Sequence, residues 1–342
     1  MEIRILSTES MGTRGLCTVV ETRDRRILID PGIALGRVRH SLPPHPFQIA
    51  VGAATRKKIL AEFPLATDVV FSHYHGDHIP LADANPYQLS LDRVAPMLRR
   101  CAVWGPEADD PSGRMQARHE ALRAACGMDL NAAPDMRVGP IRFSGPVPHG
   151  RNADRLGSVM MTRVEEDGFV FVHASDVQLL DRNTVEKILE WKPDVVLASG
   201  PPLYRSGTDP GLSSRAWDNA ILLAGAAGVL VLDHHLLRSP EGVRWLAVLA
   251  TRAEGRIVTA AEFMGRPLRF LEAWRAELYR EMPVPEGWHE AYARGEANTA
   301  PFHRWRDWEA GKEDGEGEGG PAGAPAPRTI EPEAGNAGRG DA

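Results

Sequence analysis

Cysteine is scarce in this 342-residue chain: Cys17, Cys101 and Cys126 are odd in number and far apart. Such a set argues against a disulfide scaffold and against a cysteine-type zinc site, and reads as small buried hydrophobes in a reducing compartment. Long apolar runs are missing too. The longest, Ala220 to Leu232, has 13 residues, short of the ~20 that span a bilayer. It reads as a helix end, a turn at Gly228 and a buried strand. The opening Met1-Glu2-Ile3-Arg4 carries no apolar signal segment. These absences lead to the expectation of a soluble, cytoplasmic protein without a membrane partner. Positive charge is not in excess either: 40 Lys and Arg against 46 Asp and Glu give −6, so no global charge points to nucleic acid. Residues 311–342 hold seven acidic and three basic residues (−4), which leaves −2 for residues 1–310.

The remaining composition, 43% hydrophobic and 25% charged, is that of a globular chain able to bury a large core. Residues 1–310 are expected to form one domain ending in C-terminal helices. Residues 311–342, rich in Gly, Pro, Ala and Glu, read as a disordered tail. Strands are predicted over Glu2–Ser7, Cys17–Glu21, Arg26–Asp30, Asp68–Phe71, Cys101–Trp104, Val195–Ala198 and Val229–Asp233, with a broken β region at Met136–Val147. Ser158–Glu165 and Phe169–Ala174 read as a hairpin turning at Asp167-Gly168. Helical spacing covers Gln48–Phe63, Gln88–Arg100, Gly113–Cys126, Asp181–Trp191 (capped by Asn183 or Thr184), Ser213–Ala226 and most of Glu241–Arg280, with short pieces near His289 and Phe302–Ala310. Strands come first, then alternate with helices. Several end in histidine-bearing loops, which predicts an α/β (α+β) fold of helix-covered sheets with a site at the strand ends.

The densest chemistry is Ser72-His73-Tyr74-His75-Gly76-Asp77-His78, directly after an apolar strand. Imidazole nitrogen and carboxylate oxygen suit zinc and related divalent ions. His73 and His75, two apart on an extended segment, can share one ion. The turn at Gly76 lets Asp77 and His78 face a second. No Gly-x-Ser-x-Gly elbow or Walker-type loop competes with this cluster.

This His-x-His-x-Asp-His motif resembles that of the metallo-β-lactamase superfamily. Ile27-Leu28-Ile29-Asp30-Pro31-Gly32 is similar to that family's early strand and active-site loop, and the resemblance spans roughly residues 1–260. It implies a four-layer αββα metallo-β-lactamase sandwich and three further ligands at later strand ends: His149 in Val147-Pro148-His149-Gly150, Asp176 in His173-Ala174-Ser175-Asp176, and His234 in Leu232-Asp233-His234-His235. One ion then takes His73, His75 and His149, the other Asp77, His78 and His234, with Asp176 between them. His234 and His235 compete for the last place, since strand alternation lets only one face the ions. The Leu-Asp-His-His-Leu-Leu-Arg ending at 232–238 is similar to the Leu-Thr-His-x-x-x-Arg of tRNase Z-type members and favours His234. An uncharacterised hydrolase branch carries a similar Asp-His-His ending. His75 stands where the oxygen-reducing di-iron branch has Glu, which argues against redox chemistry. His173 and His235 are possible supporting residues behind the ligands.

What the resemblance implies is a hydrolase with two divalent ions, zinc foremost and Mn2+ or Fe2+ as alternatives. A water bridging the ions would attack an ester, lactone, thioester or phosphodiester. Asp77 and Asp176 are the expected catalytic carboxylates, with Asp176 or a metal-bound water handling the proton. A small-molecule substrate is the expected partner. A nuclease of the same fold and a non-catalytic metal-binding protein are the competing readings, and oligomeric state is not legible. Gly200–Trp217, with Tyr204, Arg205, Ser206, Ser214 and Trp217, reads either as a substrate lip or as a solvated connection with Ser213 as helix cap. Arg93, Arg99 and Arg100 either meet a phosphate or form a solvated helix face.

Overall fold

The structure is a computed structural model that describes residues 1–302 except 37, 40, 109–112, 131, 133, 151–156, 209 and 210. The predicted helix at Phe302–Ala310 and the tail at 311–342 therefore lie outside the described residues. Two mixed sheets form the centre. The first has the order β1 (Glu2–Ile5), β2 (Thr18–Glu21), β3 (Arg26–Ile29), β4 (Asp68–Val70), β5 (Ala102–Trp104). Its first three strands are antiparallel and its last three parallel. The second runs β12 (Arg256–Val258), β11 (Val229–Leu232), β10 (Val195–Ala198), β9 (Phe169–His173), β8 (Ser158–Glu166), β7 (Ile141–Pro148), β6 (Arg137–Val138). It is parallel from β12 to β9 and antiparallel beyond.

Alternation along the strands builds three cores. Val20, Ile27, Ile29, Val70, Phe171, Val195, Leu197 and Val231 point between the sheets and form one buried cluster. Their neighbours Val19, Leu28, Val69 and Val103 face outward, onto Leu91–Leu98 and Arg114–Cys126 and onto Ile59 and Phe63 at the end of Pro46–Glu62. Val170, Val172, Val196, Leu230 and Leu232 face helices Arg182–Glu190, Leu212–Ala226 and Pro240–Arg252 on the opposite side. Helix, sheet, sheet, helix is the αββα sandwich. Among the described residues no helix is long and apolar enough to cross a membrane.

Local chemistry sets the element ends. Pro46 opens the first helix, and His45 caps it by accepting from Phe47 N at 3.1 Å. The β8–β9 hairpin turns where predicted, with Asp167 and Gly168 at φ 52° and 81°, both left-handed as a two-residue turn of this kind requires. Three expectations are corrected. The Arg182–Glu190 helix is capped by Asp181, whose Oδ2 accepts from Thr184 N at 2.8 Å, because the acidic cap lies two or three residues ahead of the proposed ones. Leu212–Ala226 has no side-chain cap, since Ser213 Oγ accepts from Trp245 Nε1 at 3.0 Å instead. The stretch 241–280 contains strand β12, which pairing with β11 imposes over its helical pattern.

Every strand end that matters opens on one edge. The loops after β3, β4, β9 and β11, the turn after β1 and the end of β7 converge there. Gly32 permits one approach: a β-carbon on it would sit 2.2 Å from Ile79 N and 2.6 Å from His78 Cα. Gly32→Ala is therefore expected to lower stability by about 3 kcal/mol. Gly225→Ala, on an exposed helical position with nothing within 4 Å, should be neutral or add up to about 1 kcal/mol. Denaturant midpoints measure both, and an unperturbed Gly32→Ala protein would refute the close approach.

Candidate metal centre

Asp176, buried at the end of the loop after β9, is the hub. Its Oδ2 lies 2.8 Å from His149 Nε2, 3.3 Å from His235 Nε2, 3.4 Å from His73 Nε2 and 3.8 Å from His75 Nδ1. Its Oδ1 lies 3.2 Å from His78 Nε2 and 3.3 Å from His234 Nε2, yet makes no hydrogen bond. Two groups emerge whose ligand atoms are mutually within 4.8 Å: His73, His75, His149 and Asp176; and Asp77, His78 and His234. Asp176 also groups with His234 and His235. The seven residues predicted from sequence are thus brought together.

The far nitrogens show which way each ring faces. His73 Nδ1 donates to Ser72 Oγ (2.8 Å), His78 Nδ1 to Asp30 Oδ2 (2.9 Å) and His234 Nδ1 to Glu9 Oε2 (2.7 Å). With those protons outward, the Nε2 lone pairs point inward. The Gln178 amide meets Nδ1 of both His149 (3.1 Å) and His235 (3.0 Å). The atom that meets both is Nε2, so the amide braces the two rings from behind. Asp30 is itself fixed: Ser72 N donates to Oδ1 (2.8 Å), and Ser72 Oγ (2.7 Å) and Ser175 Oγ (2.8 Å) donate to Oδ2.

This donor set fits divalent ions. The inward nitrogens of His73 and His75 are 2.9 Å apart, and those of His78 and His234 3.2 Å. Ring nitrogens so close share either a proton or a cation. Burial drives His73 and His235 down to about 3, each with neighbouring positive groups adding to the shift, so both rings are neutral ligands at ordinary pH. For Asp176 and Asp77 burial works against ionisation, but the surrounding imidazoles, with Arg238 beside Asp77, hold both well below the usual carboxylate range. Burial works against a charged His78, but Asp176 and Asp30 raise its ring well above the usual imidazole range, so Asp30, Asp77 and Asp176 face both His78 and Arg238.

Both His234 and His235 face the cluster, which corrects the expectation that one alone would. Strand β11 ends at Leu232, and the backbone turns through φ 34° at His234 and −60° at His235, so strand alternation no longer applies. His173 is buried and donates Nε2 to Leu16 O at 3.0 Å, tying the end of β9 to the segment before β2. Tyr204 is half-buried with Arg39 stacked 4.7 Å over its ring. Arg93, Arg99 and Arg100 are exposed on the outer helical layer, with Arg99 donating to Ala125 O, a solvated face. Sequence reasoning missed Glu9 and Gln178. Glu9 carries no local signal, while Gln178, two residues beyond Asp176, lay next to a predicted ligand.

Outside the cluster, Glu272 is buried between Arg14 and Arg39, bonded to both. Burial raises its carboxyl, and the guanidinium groups of Arg14, Arg238 and Arg39 more than reverse this, bringing it to about 2. A folded value below the unfolded one contributes stability above about pH 4.5 that is lost as pH falls toward 2. The contribution is about 3 kcal/mol. Glu272→Gln should lower stability by that order at pH 7 and flatten its dependence between pH 5 and 3. Parallel pH dependences for both proteins would refute the pairing.

No family model matches the chain. It is 49% identical over 302 residues to a UPF0282 protein of Methanosarcina mazei, with 88% of this chain and 99% of that protein covered. It is 33% identical over 304 residues to a UPF0282 protein of Pyrococcus horikoshii, with 84% and 97% covered. Among solved structures, a metal-dependent hydrolase of the β-lactamase superfamily is similar at 14% identity and a TM-score of 0.46, with 75% of this chain and 94% of that chain covered. The αββα layers, the loop His73–His78 and the later histidines and aspartate at strand ends are together the metallo-β-lactamase arrangement that the motif resembles.

Proposed function

The chain belongs to the UPF0282 protein family, and we propose that this member is a metal-dependent hydrolase acting on a small ester, lactone, thioester or phosphodiester. The observation that carries the reading is the convergence of inward imidazole nitrogens on the unbonded Asp176 Oδ1 and its partner oxygen. His73, His75 and His149 would hold one ion, and Asp77, His78 and His234 a second, with Asp176 reaching both. Zinc suits this nitrogen-rich set best, with manganese and iron also accepted by it. A divalent ion bound there supplies Lewis acidity, lowering the pKa of water and polarising a carbonyl or phosphoryl oxygen.

The chain's own groups do the rest. His75 and Asp77 are the open members of the cluster, with side chains 32% and 16% exposed, so the substrate approaches from their side. Asp77, kept anionic beside Arg238, accepts the proton released in the attack and returns it to the leaving group. Asp176, enclosed by rings, stays ionised and fixes their spacing. Asp30, Ser72 and Glu9 hold the orientations of His78, His73 and His234, and Gln178 braces His149 and His235.

His75→Ala and Asp77→Ala should each lower metal-dependent turnover on a panel of generic lactones, thioesters and phosphodiesters at least ~100-fold with the folded state retained by circular dichroism. Elemental analysis accompanies the assay. Wild-type protein that carries no divalent ion and turns over no member of the panel with added zinc or manganese would overturn the reading.

A further inference from the structure

The second group of ligands already has a cation in it. Arg238 lies in the short turn Leu236–Arg238, with its side chain 7% exposed. Its Nε donates to Glu9 Oε1 at 2.7 Å. Its Nη2 donates to His234 Nε2 at 2.7 Å and lies 3.2 Å from Asp77 Oδ2. These are the lone pairs that an ion held by Asp77, His78 and His234 would need. Among the described residues the first group has no such competitor: the contacts of His73, His75 and His149 are with one another, Asp176, Ser72 and Gln178.

Resting on the reading of these groups as metal ligands, we propose that Arg238 makes the two positions unequal, its guanidinium standing in for the second ion until it is displaced. The first position takes its ion directly. The second fills only when Nη2 gives up His234 and Asp77, while the Nε bond keeps the side chain tethered to Glu9. A guanidinium and a dication cannot share one set of lone pairs, and at such separations their repulsion is strong even with partial solvent screening. His234 does not depend on Arg238 for its position, because Glu9 Oε2 holds its Nδ1. Removing Arg238 therefore leaves the ligand in place and takes away the competitor.

The test is a calorimetric titration of the metal-stripped full chain with Zn2+ and, separately, Mn2+. Wild type should show two steps, the second at least ~10-fold weaker, and Arg238→Met should tighten that second step at least ~10-fold while moving the first less than ~3-fold. Asp77→Ala should remove the second step only, and His75→Ala should weaken the first. Arg238→Met leaves Glu9 with only the more distant Arg14, 4.0 Å away, so Glu9→Gln/Arg238→Met provides a second variant, with Gln keeping an oxygen for His234. Two equally tight ions in wild type, or a second step unmoved in both variants, would overturn the proposal and leave the hydrolase reading standing. Failure of wild type to bind any ion would overturn both.

Discussion

The carboxylate of Asp176 is the group around which this molecule's working edge is arranged. Six imidazole nitrogens stand within 3.8 Å of its two oxygens. An isolated buried charge is expensive. Here five of the six rings are held from behind, by Ser72, Asp30, Glu9 and Gln178. Those groups lie in segments after β1, β3, β4 and β9, so the sheets have to be stacked in this register for the cluster to exist. Conversely, the lone pairs left pointing inward give the folded chain an unmet need for cations. Fold and site are coupled through this one electrostatic requirement.

Backbone strain collects at the same edge. Asp30, Ser175 and His234 adopt φ values of 47°, 50° and 34°, left-handed conformations that are uncommon outside glycine and asparagine. Each follows the end of a strand and turns a polar group into the cluster: Asp30 onto His78, Ser175 onto Asp30, His234 onto Asp176. Their hydrogen bonds over-determine the geometry, which is how such conformations persist.

The sheets were legible because period-two burial is written into short strands. Val195–Ala198 is recovered to the residue, and the β8–β9 hairpin is announced by Asp167-Gly168. The seven candidate ligands were legible because each follows a strand, and the motif at 73–78 carried the resemblance that ordered them. What stayed hidden depends on contacts between distant segments. Glu9 meets His234 and Arg238 across more than 220 residues, and nothing around Thr8-Glu9-Ser10 marks it. Strand β12 is set by its partner β11 rather than by its own sequence. His235 was misjudged because alternation was extended past Leu232, where the strand has already ended.

That last point changes the shape of the site. Consecutive residues on a strand would reach opposite faces, yet His234 and His235 reach the two oxygens of one carboxylate. Asp176 Oδ1 gathers His78 and His234, and Oδ2 gathers His73, His75, His149 and His235. The carboxylate therefore divides the cluster into a side bounded by Asp77 and Arg238 and a side built almost wholly of imidazoles. The first already holds a guanidinium; the second, among the described residues, holds none. A dication on the second side would meet the nitrogens of His73, His75 and His149 and one oxygen of Asp176, with no competing guanidinium among the described residues, whereas on the first it would contend with Arg238. The asymmetry follows from a single left-handed residue, His234, which sends two adjacent histidines to different halves of the same site.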